Sequence, residues 1–146
     1  MRNIVVCADL TEESLKRIKS LHEDIDLKHA KVHLLHVFEI QYYVSEFTPY
    51  VFPSEDQYAD MEKSALGILE KLGEDLGIAK NNLEMKVYFA KSREEKISEY
   101  LQSLKPNLVV AATRGKHGID GLFASSLTDY LVKYSPCDVL VLRPRE

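Results

Sequence analysis

Short apolar runs rich in β-branched residues alternate with helix-length amphipathic stretches from one end of the chain to the other. Ile4–Ala8 (IVVCA) is apolar at every position, as a strand covered on both faces must be. Thr11, followed by Glu12, Glu13 and Ser14, reads as a helix start, and Leu15, Ile18, Leu21 and Ile25 then form one apolar face. Lys31–Glu39 (KVHLLHVFE) is a second strand-like run. A helix is predicted over Glu55–Leu76, with Tyr58, Met61, Ala65, Leu69, Leu72 and Leu76 on one stripe and Gly77 as its stop.

The second half repeats the scheme. Glu84–Ala90 alternates like a strand, Ser92 with Glu95 makes a capping box, and Pro106 closes the helix that follows. Leu108–Thr113 is a buried strand, Ser125–Tyr134 a helix stopped by Pro136, and Asp138–Leu142 the last strand. This β-α-β-α-β-α-β-α-β order predicts an α/β fold: one open five-stranded parallel sheet with four helices divided between both faces. A length of 146 residues suits a single domain over 1–146.

Composition narrows the function classes. The chain is 45% hydrophobic and 29% charged, which excludes a disordered chain. Its 19 basic against 23 acidic residues, a net charge of −4, argue against a nucleic-acid binder. The first apolar run is too short for a signal peptide, and nowhere do about 18 apolar residues follow one another, so no membrane span and a cytoplasmic location are expected. Two cysteines do not make a disulfide framework.

A ligand of such a sheet is expected outside the carboxyl ends of the strands. Those ends carry Cys7-Ala8-Asp9, His36-Val37-Phe38, Ala90-Lys91 and Ala111-Ala112-Thr113. The last is followed by RGKHGIDGLFASSLTD, in which Gly115, Gly118 and Gly121 stand beside Arg114, Lys116 and His117. A glycine-rich turn leading into a helix offers backbone N–H groups to an anion, and Ser126 and Thr128 add hydroxyls. The segment is neither a Walker loop nor G-x-G-x-x-G, and since such loops are common turns, a plain capped connection is the leading reading of these residues on their own. The acidic excess lies mostly on the helices, leaving this loop locally cationic.

Taken together, the IVVCAD opening, LLHV, NLVVAATRGKHG, the S-S-L-T helix start and the ending SPCDVLVLRP resemble the universal stress protein family over essentially the whole chain. The resemblance implies a five-stranded parallel sheet in the strand order 3-2-1-4-5, a homodimer, and a relation to the branch that binds ATP through G-x2-G-x9-G-[ST]. That motif falls here on Ala112-x2-Gly115-x9-Ser125-Ser126, so its spacing is kept while its first and third glycines are Ala112 and Ser125. By the same resemblance Asp9 and Val37 meet the adenine and ribose end. Arg114, Lys116 and His117 lie over the phosphates, and Gly115, Ser125, Ser126, Leu127 and Thr128 surround them. The implied ligand is ATP or another adenine nucleotide, or a related small molecule.

The remaining features are weighed by geometry. His33 and His36 stand three apart on a strand and point to opposite faces, so they do not form a metal site. Cys7 and Cys137 are placed at opposite edges of the sheet, and no base is evident to activate Cys7. Tyr42, Tyr43, Phe47, Tyr50 and Phe52 gather 5 of the 13 aromatics into one loop, Gln41–Ser54, which is read as a lid, a partner surface or a segment packed on its own domain. Asp138–Leu142 is an edge strand, and with the resemblance it implies a homodimer through that edge. No catalytic pair stands out, so at most slow ATP hydrolysis is expected. The alternative function is a structural or signalling homodimer that binds protein partners and no nucleotide.

Overall fold

A computed structural model of the protein describes residues 1–113 and 126–145. Its main sheet is built from β1 (Arg2–Cys7), β2 (Ala30–Glu39), β5 (Leu83–Ala90), β6 (Leu108–Ala112) and β7 (Asp138–Leu142). All four pairings are parallel, in the order β5-β2-β1-β6-β7. Counted among the sheet's own strands, this is the expected 3-2-1-4-5. β1 is central, with Cys7 level with Leu35 of β2 and Ala111 of β6.

Helices α1 (Glu12–Lys19) and α2 (Glu55–Asp75) cover one face, and α3 (Arg93–Leu104) and α4 (Ser126–Tyr134) the other. Alternation along the strands sorts the side chains between two cores. Ile4, Val6, Val32, Leu34 and Val110 pack with Ile18, Leu69 and Leu72 on the α1/α2 side. Val5, Cys7, Leu35, Val37, Val109 and Ala111 pack with Ile97, Leu101 and Leu131 on the α3/α4 side. β1 and the middle of β2 are buried on both faces, which is why those runs contain so few polar residues.

Local signals hold with shifts at the ends. Thr11 Oγ1 accepts from the Ser14 N–H at the start of α1. α1 stops at Ser20, whose hydroxyl donates to the Arg17 carbonyl, and Leu21–Glu23 continue as one 3-10 turn. Leu21 and Ile25 therefore reach the α1/α2 core without a continuous helix. The Ser54–Gln57 capping box of α2 escapes the sequence reading. Gly77, at φ +71°, ends the same segment in the left-handed region that suits glycine. Ser92 Oγ caps α3 by accepting from the Glu95 N–H at 3.2 Å, as its sequence spacing predicts.

Two expectations are corrected. Cys7 and Cys137 do not sit at opposite edges: β1 is the central strand, and both sulfurs border the α3/α4 core, at opposite ends of strands two apart. Both are free thiols, and burial pushes Cys7 up to about 12, so it is inert as a nucleophile at neutral pH.

The aromatic segment, read as a loop, is an antiparallel hairpin of β3 (Gln41–Val44) and β4 (Pro49–Phe52). The aromatic and β-branched residues Tyr42, Tyr43, Val44, Tyr50, Val51 and Phe52 suit a pleated strand, and Ser45 with Thr48 closes the turn. It does not pack down on its own domain, since Val44 is 87% and Phe47 92% exposed. Its described ring contacts are the Tyr43–Tyr50 stack and Lys91 Nζ over the Tyr42 ring at 5.5 Å.

The two strand histidines point to different surroundings. His33 Nε2 donates to Asn3 Oδ1 at 3.0 Å, leaving Nδ1 to accept from the Tyr100 hydroxyl at 3.1 Å. His36 Nδ1 donates to the Ala8 carbonyl at 2.7 Å, and its ring meets Phe38 edge-on. Burial lowers the pKa of both. Lys31 and Lys86 add to this at His33 against Glu84, and Arg93 adds to it at His36 against the Ala8 bond and Asp9.

The unfolded chain therefore takes up protons first. Stability contributed by these imidazoles is complete above the ordinary value of 6.5 and is lost as pH falls through the lowered folded values. Thermal melting between pH 7.5 and 5.5 is expected to show Tm falling with pH. A His33→Gln/His36→Gln variant is expected to show a flatter slope.

Candidate functional site

The sheet reverses direction between β1 and β6: from β1 the chain moves outward to β2 and β5, then returns through α3 to β6 on the other side. α1, the helix after β1, lies on one face and α4, the described helix after β6, on the other, and in open parallel sheets this is the point where a ligand crevice is expected. Asp9 stands two residues past the end of β1, half-buried beside the buried Ala8. The Ala8 N–H donates to the Leu35 carbonyl at 2.8 Å and so fixes the exit of β1 against β2. Val37, only 5% exposed, comes from β2 and packs on the α3/α4 side.

On the β6 side, Ala112 ends the strand and the Thr113 N–H donates to the Leu142 carbonyl of β7 at 2.8 Å. The Ala112 methyl packs against the α1/α2 core, so this departure from the family's first glycine has neighbours of its own chain. α4 begins at Ser126, with Leu127 half-buried against the α3/α4 core and Thr128 buried one residue on. Its amino end lies toward the carboxyl end of the sheet, where the helix dipole favours an anion. Of the residues singled out from sequence, Asp9, Val37, Ala112, Leu127 and Thr128 thus gather at one end of the sheet. Arg114, Gly115, Lys116, His117 and Ser125 lie outside the described residues, as does the Ser126 side chain.

A model of the universal stress protein family matches residues 1–143. The chain belongs to the universal stress protein family. No curated protein matches the chain. Solved structures resemble it over nearly their whole length. Universal stress protein UspA from Lactobacillus plantarum is 19% identical, with 97% of each chain covered and a TM-score of 0.69. A family protein from Arabidopsis thaliana with AMP bound is 16% identical, covering 99% of this chain and 93% of that one, at a TM-score of 0.65. The universal stress protein from Archaeoglobus fulgidus in complex with dAMP is 11% identical, covering 97% and 98%, at a TM-score of 0.63.

Sequence reasoning about this family member missed Arg93, the first residue of α3. Its N–H donates to Glu39 Oε2 at 3.1 Å, which ties the start of the helix to the end of β2. Its positive charge lowers the pKa of Cys7, against the larger upward effect of burial, and adds to the burial that lowers His36. The available signal was positional, because Arg93 follows the end of β5 by three residues, as Asp9 follows the end of β1 by two.

Away from this end, an open depression of about 380 Å³ lies between β5 and α3, lined by Tyr88, Lys96, Glu99, Tyr100, Ser103 and Leu104. Among the described residues, no three His, Cys, Asp or Glu side chains gather as a metal site. None of the helices described is long and apolar enough to cross a membrane.

Proposed function

We propose that this universal stress protein binds an adenine nucleotide, with ATP, ADP and AMP as candidates, across the carboxyl ends of β1, β2 and β6 and the start of α4. The observation that carries the reading is the polarity of that end of the fold. Asp9 supplies a carboxylate suited to ribose hydroxyls or a base amine, and Val37 an apolar wall. The α4 N-terminus offers N–H groups for phosphate. Arg114, Gly115, Lys116, His117, Ser125 and Ser126 complete the phosphate end in this reading. The AMP and dAMP complexes of the two similar structures support an adenine nucleotide as the ligand class.

Binding, rather than turnover, is the function in this reading, with hydrolysis slow at most and the output passed on through conformation or a partner in the cytoplasm. The unit is a homodimer joined through β7, which among the described residues pairs with β6 alone and so stands at the edge of the sheet. A second reading, a nucleotide-free signalling dimer, draws on the hairpin, whose exposed aromatics suit a protein partner or a lid over the ligand. Neither reading includes nucleic acid. Native mass spectrometry with AMP, ADP or ATP added is expected to give the mass of two chains, each with one nucleotide. Free dimer at millimolar nucleotide would favour the second reading, and a monomer at micromolar protein would remove the β7 interface.

A further inference from the structure

The β3–β4 hairpin carries a single charge, Glu46 in its turn. Its register sorts the strand side chains between two faces. Tyr42 stands opposite Val51 and Val44 opposite Pro49 on one face, Tyr43 opposite Tyr50 and Gln41 opposite Phe52 on the other. The second face is partly closed on itself, since the Tyr43 and Tyr50 rings stack at 5.0 Å. The first is not: Tyr42 is 59% exposed, Val44 87%, and Phe47 at the turn 92%. At the base of the hairpin a cation stands against this face, Lys91 over the Tyr42 ring. A two-stranded hairpin is marginal in water by itself, and an apolar face of this extent marks a contact surface.

Charge and area indicate what covers it. A two-fold axis across the middle of the hairpin lays the turn of one copy over the base of another. Glu46 then meets the partner's Lys91, Phe47 meets the partner's Tyr42, and Val44, Pro49 and Val51 close the middle. The face is complementary to itself, with an anion at one end, a cation at the other and apolar side chains between. At about 150–250 Å² for a whole aromatic side chain, its exposed part amounts to roughly 500 Å² per copy. Two copies bury about 1,000 Å², the lower bound for a specific interface, which suits an association that follows concentration.

We propose that the β3–β4 hairpin is a self-association surface: the face of Tyr42, Val44 and Val51, with Phe47 at its turn, packs antiparallel on the same face of a second copy. The hairpin follows β2 and touches Lys91 beyond β5, on the side of the sheet away from β7, so this contact is separate from one through β7. It is also independent of nucleotide.

Hydrogen exchange of the whole protein without nucleotide, over a roughly hundredfold range of protein concentration, tests it. Amides of residues 41–52 are expected to exchange on the order of tenfold more slowly at the high end, and the mass from sedimentation to double over the same range. Val44→Glu sets like charges near one another across the two-fold at an exposed position. It is expected to abolish both effects and to leave the Tm of the dilute protein unchanged. Protection that instead follows added AMP or ATP at one low protein concentration would make the hairpin a lid and overturn the proposal. Exchange independent of concentration would leave the face to a different partner, and unaltered protection in Val44→Glu would place the contact elsewhere. Either result overturns it as well.

Discussion

Truncation of Leu34 or Leu101 to alanine is expected to destabilise the protein by about 2–5 kcal/mol in each case. Both side chains are fully buried, but in different cores: Leu34 of β2 on the α1/α2 side and Leu101 of α3 on the α3/α4 side. Each truncation removes apolar area from water-free packing and leaves a cavity that the rigid β1–β2 pair cannot collapse to fill. Because the sheet separates the two sites, their effects are expected to add. The sum rivals the roughly 5–15 kcal/mol that holds a typical domain together, so the double variant should be largely unfolded at 25 °C. Urea denaturation followed by circular dichroism reads this as two similar losses of midpoint and the absence of a folded baseline in the double variant. Phe47→Ala is the contrast, since its ring is 92% exposed and its loss should leave the midpoint unchanged. A non-additive pair would mean that the two cores communicate through the sheet.

The two cores were legible in the sequence because burial on both faces leaves a run such as IVVCA without a polar residue, and because helix stripes repeat at 3.6 residues. The parallel sheet followed from the alternation of elements, and its strand order from the family resemblance, not from any one residue. The hairpin was not legible as strands because its apolar residues face no core of their own chain: Tyr42, Val44 and Phe47 carry composition without burial. The place of Cys7 was misread for a different reason. Position along the chain says nothing about position across a sheet, and the first strand of a doubly wound fold is its middle one. At the site, Asp9 and Val37 were accessible because they end apolar runs. Arg93 was hidden within REEKISEY, where it reads as one more charge on a solvated helix face. Its role as the first residue of α3, held by Glu39 from a strand 54 residues earlier, belongs to tertiary structure.

Asp9→Ala is expected to weaken adenosine binding by about tenfold to a hundredfold, the range for losing a hydrogen bond to a charged acceptor. Asp9 follows β1 at the point where the Ala8–Leu35 hydrogen bond ends regular pairing, so its backbone is fixed by the sheet and the substitution should leave the strand in place. The loss should be smaller for ATP than for adenosine. Removing a negative charge from the crevice also removes its repulsion of the triphosphate, and that gain offsets part of the lost hydrogen bond. Added salt should narrow the difference, because it screens the repulsion and leaves the short-range bond alone. His36 provides an internal check. Asp9 favours its charged form, so the imidazole pKa, followed by NMR, should fall further in the variant even without ligand. Calorimetry with adenosine and ATP at two salt concentrations separates the outcomes. An equal loss for both ligands would place Asp9 out of reach of the phosphates, and no loss for adenosine would remove it from the base and ribose end of the site.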